Sequence, residues 1–210
     1  MQVAASAGLR KAGSLALPVI FISWLSLACA GMAALWLYSM TAGKEGNPPD
    51  RWPASSSLQR TPGASTLLMF VHPRCACSRA SISELAVLLA HSGGHLHTQV
   101  VFLKPPGEAD SWIHTDLWRA ASELPVTAIV SDLGGRETEL FHAAVSGETL
   151  VYDSSGNLRF HGGITGARGH IGDNAGYSGV ECYANTGIMS LAQTPVFGCP
   201  FFSETGSRVP

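Results

Sequence analysis

The chain has 210 residues, 46% of them hydrophobic and 13% charged, with a formal net charge of −2 at pH 7. That length holds one domain with extras and not several. From residue 66 onward 8 Lys and Arg face 13 Asp and Glu, with no basic run, which excludes nucleic acid as the expected partner.

The low charge has a local cause: no charged residue lies between Ala12 and Gly43. The core of that run, LALPVIFISWLSLACAGMAALWLY, covers the 24 residues from Leu15 to Tyr38 and is long enough to span a bilayer with some tilt. Arg10 and Lys11 precede it, and Trp36 and Tyr38 sit at its far end. The positive-inside rule therefore places the N-terminus in the cytoplasm and the rest of the chain outside, as a single-pass inner-membrane protein with an extracytoplasmic, periplasmic domain. A signal-peptidase site at Ala28–Ala30 or a poor lipoprotein box at Ser26–Cys29 would end the apolar run near residue 30. The run continues through Met32, Leu35, Trp36 and Leu37, which favours an uncleaved anchor over residues 1–40. Cys29 is a small apolar residue within it.

Residues 41–65 are rich in Pro, Gly and Ser without an apolar period and are expected to be a flexible tether. A folded domain is expected over 66–200, followed by a tail over 201–210. TLLMFV, from Thr66, is a continuous apolar run of buried-strand length. SRASISELAVLLA follows with Ile82, Leu85, Leu88 and Leu89 on one helical face. His91, His95 and His97 fall in a turn at that helix's far end, where solvated loop is the expectation. TQVVFL, from Thr98, is a second strand, stopped by Pro105 and Pro106. Residues 110–124 carry Trp112, Leu117, Trp118 and Ala121 at helical spacing, with the tryptophans in the core. VTAIVSD, from Val126, is a third strand, and a short helix is predicted over 136–142. TLVYD, from Thr149, and LRFHGGI are joined by a turn into a hairpin, and a last helix is predicted over 174–184. The order β-α-β-α-β-α-β-β-α makes an α/β layered domain with a central mixed sheet flanked by helices.

The chemistry concentrates in FVHPRCACSRAS, Phe70 to Ser81. Cys75 lies between the first strand and the first helix of the domain, where unpaired N–H groups and the helix dipole favour a thiolate. Cys77 is close enough in sequence to attack a mixed disulfide on Cys75, and the small ring it would close is strained and oxidising. Strand order brings further segments to this end of the sheet. His72, Lys104, Glu148 and the loop GITGARGH, with Arg168 and His170, are expected to line one groove, with Arg168 and His170 on its rim. The glycines at 162, 163, 166 and 169 suggest positive φ or close backbone approach. Cys182 and Cys199 form a structural disulfide on one reading; on the other, either serves as a second resolving thiol.

The motif and its surroundings resemble the thioredoxin-like superfamily, of the membrane-anchored TlpA/ResA type. FVHPRCACSR aligns without a gap on that group's FWATWCPPCR, with Cys75 on the first cysteine and Arg79 on the arginine. LPVTAIVSDLGG and TLVYDSSGNLRF resemble further family stretches. The whole chain also resembles the RedB proteins, through HPRCACSRAS, VVFLKPPG, GGITGARGHIGDNAG and TPVFGCP. The resemblance implies a thioredoxin-like fold and a thiol–disulfide oxidoreductase acting on protein thiols and disulfides, with Cys75 as nucleophile, Cys77 as resolving thiol and Arg79 stabilising the thiolate. Two departures stand out. Ser78 occupies the second cysteine position of the family's CxxC, and the loop before Thr149, with Ser146, Gly147 and Glu148, lacks the family's proline, which helps keep metal off the cysteines. A Sco-like copper(I) protein is the alternative. It uses Cys75 and Cys77 as soft ligands and His142, near the position where the Sco group places a histidine, as the third. A peroxide-reducing enzyme is a weaker third idea. No cofactor is required by the first reading.

Overall fold

The computed structural model describes residues 5–202 and divides the chain at Met40 into two units. The first is one helix, α1, from Ala5 to Met40. Its stretch Ala16–Met40 has 25 residues with a mean hydropathy of 2.0, and all of it is unburied. Twenty-five residues rise about 37 Å, more than a hydrocarbon core of roughly 30 Å. Leu17, Phe21, Trp24, Leu27, Met32, Leu35 and Trp36 are all exposed. A stretch of this length that is apolar on every side is suited to lipid.

The second unit starts at Thr41. Its strands are β1 (Ser65–Val71), β2 (Leu96–Lys104), β3 (Ala128–Leu133), β4 (Glu148–Tyr152) and β5 (Leu158–Gly162), in sheet order β3-β2-β1-β4-β5. β1, β2 and β3 run parallel, while β4 lies antiparallel to β1, with Phe70 opposite Glu148, and β5 antiparallel to β4. Helices α2 (Ser78–His91), α3 (Asp116–Ser122), α4 (Arg136–Leu140) and α5 (Ala175–Thr186) flank the sheet. This is the thioredoxin-like arrangement the sequence implied.

The buried strand β1 divides its side chains between two cores, as alternation requires. Leu67, Met69 and Val71 face Ile82, Leu85 and Leu88 of α2 and Val180 of α5. Leu68 and Phe70 face the other way, towards Phe141, Tyr152, Leu58 and Phe201. Among the described residues the one helix that packs on that second face is the five-residue α4, through Leu140, so other segments must complete it.

The segment expected as a tether does so. Trp52 packs edge-on against Phe141 and Tyr152 at 5.1 and 5.3 Å, and Leu58 is buried. Tyr152 Oη donates to Pro49 O, Trp52 N to Gly156 O and Leu158 N to Asp50 O. Ser56 and Ser57 hydroxyls donate to the Glu137 carboxylate at 2.7 and 2.8 Å. Residues 41–64 are thus part of the domain, because two large apolar side chains in an otherwise polar run are enough to seat it. The tail boundary shifts for the same reason, since Phe201 is fully buried in the second core. Residues 203–210 lie outside the described residues.

The helix expected over 110–124 is broken. A 3-10 turn covers Asp110–Trp112, Thr115 is extended, and α3 starts at Asp116. Thr115 leaves the helix to donate its hydroxyl to Pro73 O at 2.9 Å, which ties this connection to the loop before Cys75. At the far end of α2, His91 Nδ1 meets Tyr177 Oη at 2.6 Å and His95 Nδ1 meets Ala184 O at 3.1 Å. Those histidines hold α5 and form no metal-ligand group among the described residues.

If the 41–64 segment is structural, Trp52→Ala should destabilise the domain by about 3 kcal/mol, the usual cost of truncating a packed aromatic. Urea unfolding of the detergent-solubilised chain measures it, and a change under about 0.5 kcal/mol would return the segment to the role of a tether.

Candidate functional site: a three-thiol centre

After Val71 the chain leaves the sheet through a tight turn, with Cys75 N donating to His72 O at 3.0 Å and Ser78 N to Cys75 O at 3.1 Å. Cys77 stands at the N-cap position of α2 with helical φ and ψ of −65° and −31°. Cys75 therefore sits one turn ahead of the regular helix, with only 2% of its surface exposed.

Against it lies Cys199, whose Sγ is 2.9 Å from Cys75 Sγ. Cys199 arrives on a C-terminal strap. The strap first pairs with the free edge of β5, where His161 N donates to Ala192 O and Thr194 N to His161 O. It then crosses to the loop before β4. Ser146 N donates to Cys199 O at 2.8 Å, Phe201 N donates to Ala144 O at 2.9 Å, and Val145 pairs antiparallel with Pro200. The glycine signal in GGI is explained here. A Cβ at Gly162 would overlap Thr194 O, and one at Gly163 would stand 2.6 Å from Pro195 O. Gly198 is equally constrained, by Ser146 O.

Cys77 completes the cluster: the sulfurs of Cys75, Cys77 and Cys199 all lie within 4.8 Å of one another. Cys75 and Cys199 are hydrogen-bonded sulfur to sulfur, and Cys75 ionises far below the ordinary thiol range. Cys75 is pulled down to about 4, chiefly by the Cys199 hydrogen bond, against the effect of burial, with help from the Ser78 hydroxyl and from the Cys199 and Ser78 backbone N–H groups. The Cys199 thiol is pushed up by that same bond, by burial and by the neighbouring sulfur charge. Burial and the Cys75 charge push Cys77 up as well, partly offset by a hydrogen bond from Arg168.

Ser78, three residues after Cys75, is a donor to it. Its hydroxyl pairs with Ser146 Oγ at 2.6 Å, and Ser146 Oγ accepts from His72 N at 2.7 Å. The loop without proline is thereby wired to the thiol.

The other expected residues divide. Arg168 is at the centre: it acts on Cys77 and Cys199, and it donates from Nη1 to Gly198 O at 2.5 Å and from Nε to Thr41 O at 3.1 Å. His72 is buried against the centre with its ring edge-on to Trp112 at 5.5 Å, and Arg74 covers the same indole at 4.8 Å. Arg79 is directed to Asp116, so the cation acting on these thiols is Arg168. Lys104 Nζ is directed to Asp110 at 2.5 Å. His170 is exposed and stands outside the thiol cluster. Glu148 is fully buried and braces the loop from beneath. It accepts from Ala144 N at 2.9 Å and Val145 N at 3.4 Å, and burial raises its pKa to about 7.

Two expectations are corrected. A Cys182–Cys199 disulfide is not what the fold prepares. Cys182, on α5, has its Sγ 3.7 Å from Thr186 Oγ1, while Cys199 is committed to Cys75. His142 is not a third ligand beside Cys75 and Cys77. Its Nδ1 meets Asn47 O at 2.7 Å, and the third potential ligand is Cys199. In the sequence Cys199, in TPVFGCP and 124 residues from Cys75, was recognisable only as one of two candidates for a resolving role.

No family model and no curated protein matches the sequence. Solved structures do. A hypothetical protein from Sinorhizobium meliloti aligns over 77% of this chain and 94% of its own, at 19% identity and a TM-score of 0.52. An uncharacterized conserved protein from Geobacillus kaustophilus aligns over 81% and 94%, at 15% identity and a TM-score of 0.55. StoA from Bacillus subtilis aligns over 48% and 74%, at 19% identity and a TM-score of 0.40.

Two pH effects of opposite sign follow. The folded Cys75 pKa lies below its unfolded value, so its contribution to stability is complete above about pH 9 and is lost as pH falls towards 4. Thiolate ultraviolet absorbance should persist to about pH 5 and vanish in Cys75→Ser, and Ser78→Ala should move its midpoint upward. A wild-type signal that appears only above pH 8 would contradict this. Glu148 works the other way: its folded pKa is raised, so its contribution is complete below about pH 4.5 and declines as pH rises through 7. Glu148→Gln should flatten that decline in urea-unfolding free energies. An unchanged slope would show that the carboxyl is ionised throughout.

Proposed function

We propose that this protein is a thiol–disulfide oxidoreductase of the cell envelope, anchored in the inner membrane by α1 with its domain on the extracytoplasmic side, and that Cys75 is its attacking thiolate. The observation that carries this reading is the Cys75–Cys199 approach of 2.9 Å, at a site where Cys199 and Ser78 both donate to the Cys75 sulfur. Arg10 and Lys11 before an apolar span supply the orientation. The chemistry is two-electron exchange. Cys75 attacks a disulfide sulfur of the partner, and a second thiol of the centre then displaces the partner from Cys75. Stabilising the Cys75 thiolate stabilises the reduced form and makes Cys75 a good leaving group, so the oxidised site is a strong acceptor of electrons from protein thiols. Arg168 limits the charge that accumulates when a second thiol ionises.

A second reading has its own observation, the three sulfurs within 4.8 Å of one another. Soft thiolates converging in this way suit copper(I). The set is Cys75, Cys77 and Cys199, without a histidine.

One experiment separates the two. The reduced full chain in detergent is given glutathione disulfide in one arm and copper(I) in the other. A Cys77→Ser/Cys199→Ser variant should accumulate one glutathione on Cys75, seen by intact mass. Absence of that adduct, together with one-to-one copper(I) binding by the wild type that is lost in Cys75→Ala, would reverse the choice.

A further inference from the structure

Two thiols stand close enough to Cys75 to resolve a mixed disulfide, and the backbone treats them differently. Cys77 follows Cys75 by two residues in a stretch already wound as a helical turn. Ser78 N donates to Cys75 O, Ala80 N donates to Cys77 O, and Cys77 itself has helical dihedrals. Side chains at i and i+2 on such a turn do not face each other. A Cys75–Cys77 bond must unwind the turn and give up the Ser78 N–H bond at the start of α2. Cys199 carries no such constraint. It approaches from the strap, across the site, with its backbone held at Ser146 and its neighbour Gly198 held by Arg168.

We infer that Cys199 is the resolving thiol of this centre and that the strap exists to carry it, so that the working redox pair is Cys75–Cys199 and not Cys75–Cys77. The inference rests on the thiol–disulfide reading above. The steps balance as follows. Cys75 thiolate attacks one sulfur of a partner disulfide. A Cys75–partner bond forms, the partner's other sulfur leaves as thiolate, and it takes a proton from solvent. Cys75 sulfur is then uncharged and no longer raises the cost of ionising Cys199. Cys199 gives up its proton to solvent and attacks Cys75 Sγ. The Cys75–Cys199 bond forms, and the partner's first sulfur leaves as thiolate and is protonated. Two thiols of this chain have become one disulfide, and one partner disulfide has become two thiols. The reverse sequence oxidises a partner dithiol.

The test uses the full chain in detergent, equilibrated with glutathione buffers and mapped by mass spectrometry after thiol blocking. Oxidised wild type and Cys77→Ser should both yield a linked Cys75–Cys199 peptide. Cys199→Ser should stall as the glutathione adduct on Cys75, with resolution slowed on the order of 100-fold, as expected when an adjacent intramolecular thiol is lost. The Cys75–Cys199 bond closes a loop between residues 124 apart, whereas a Cys75–Cys77 bond closes almost none, so oxidation should raise Tm in wild type and Cys77→Ser but not in Cys199→Ser. A Cys75–Cys77 peptide as the main wild-type product, or Cys199→Ser resolving within twofold of wild type, overturns the role of Cys199 and leaves the oxidoreductase reading standing. A wild type that takes neither adduct nor internal disulfide overturns both.

Discussion

The thiol centre depends on one short antiparallel contact, between the loop Ala144–Ser146 and the strap Cys199–Phe201. Two backbone hydrogen bonds make it, Ser146 N to Cys199 O and Phe201 N to Ala144 O. They fix where Cys199 places its sulfur. The same loop is held from three other sides. Glu148 accepts from its N–H groups from beneath, Gly147 N donates to Phe70 O at the end of β1, and Ser146 Oγ receives His72 N. Because Phe70 and His72 flank the turn that leads to Cys75, one loop sets the position of both sulfurs. Phe201 extends the coupling into the second core, where its ring is fully buried. The tail therefore has a packing reason to stay and a chemical reason to be there.

The electrostatics follow from that geometry. Three thiols in one small volume cannot all ionise, since each new charge raises the cost of the next. The first charge goes to Cys75, which receives the most hydrogen bonds; burial and then that charge hold the proton on Cys77, and the hydrogen bond to Cys75, burial and that charge hold the one on Cys199. Arg168 is the cation in contact with the group, and backbone carbonyls at Gly198 and Thr41 orient it. It thus joins the strap, the segment after α1 and the GITGARGH loop at a single guanidinium, a fork geometry that suits arginine better than lysine.

Much of the fold was legible in the sequence because its strongest signals are local. Five apolar runs became five strands, and the apolar face of SRASISELAVLLA became α2. Cys75 and Cys77 were found for the same reason, since their spacing and place between strand and helix are visible in twelve residues. What failed to show was long-range. Composition marks residues 41–65 as a tether, and only Trp52 and Leu58 hint that a bare sheet face is waiting for them. Helical spacing over 110–124 is real, but Thr115 has a better partner in Pro73 O than in the helix. Arg79 matched a family position and still turned to Asp116, because a side chain at an exposed helix start takes the nearest carboxylate. Cys199 stood 124 residues away, and no periodicity connects a strap to the thiol it covers.

The missing proline before β4 acquires a reason from the strap. A proline has no N–H to donate. At 146 it would delete the bond to Cys199 O and the hydroxyl that links His72 to Ser78; at 147 it would delete the bond to Phe70 O. A site that receives its second thiol from the C-terminus by strand pairing needs an amide donor at that loop, and Ser146 supplies it. Ser78 belongs to the same network. Its hydroxyl donates to Cys75 and carries the contact on to Ser146. The serine at 146, the serine at 78 and the cysteine at 199 are thus one arrangement, in which the second sulfur comes from another part of the chain and the helix start is left to stabilise the first.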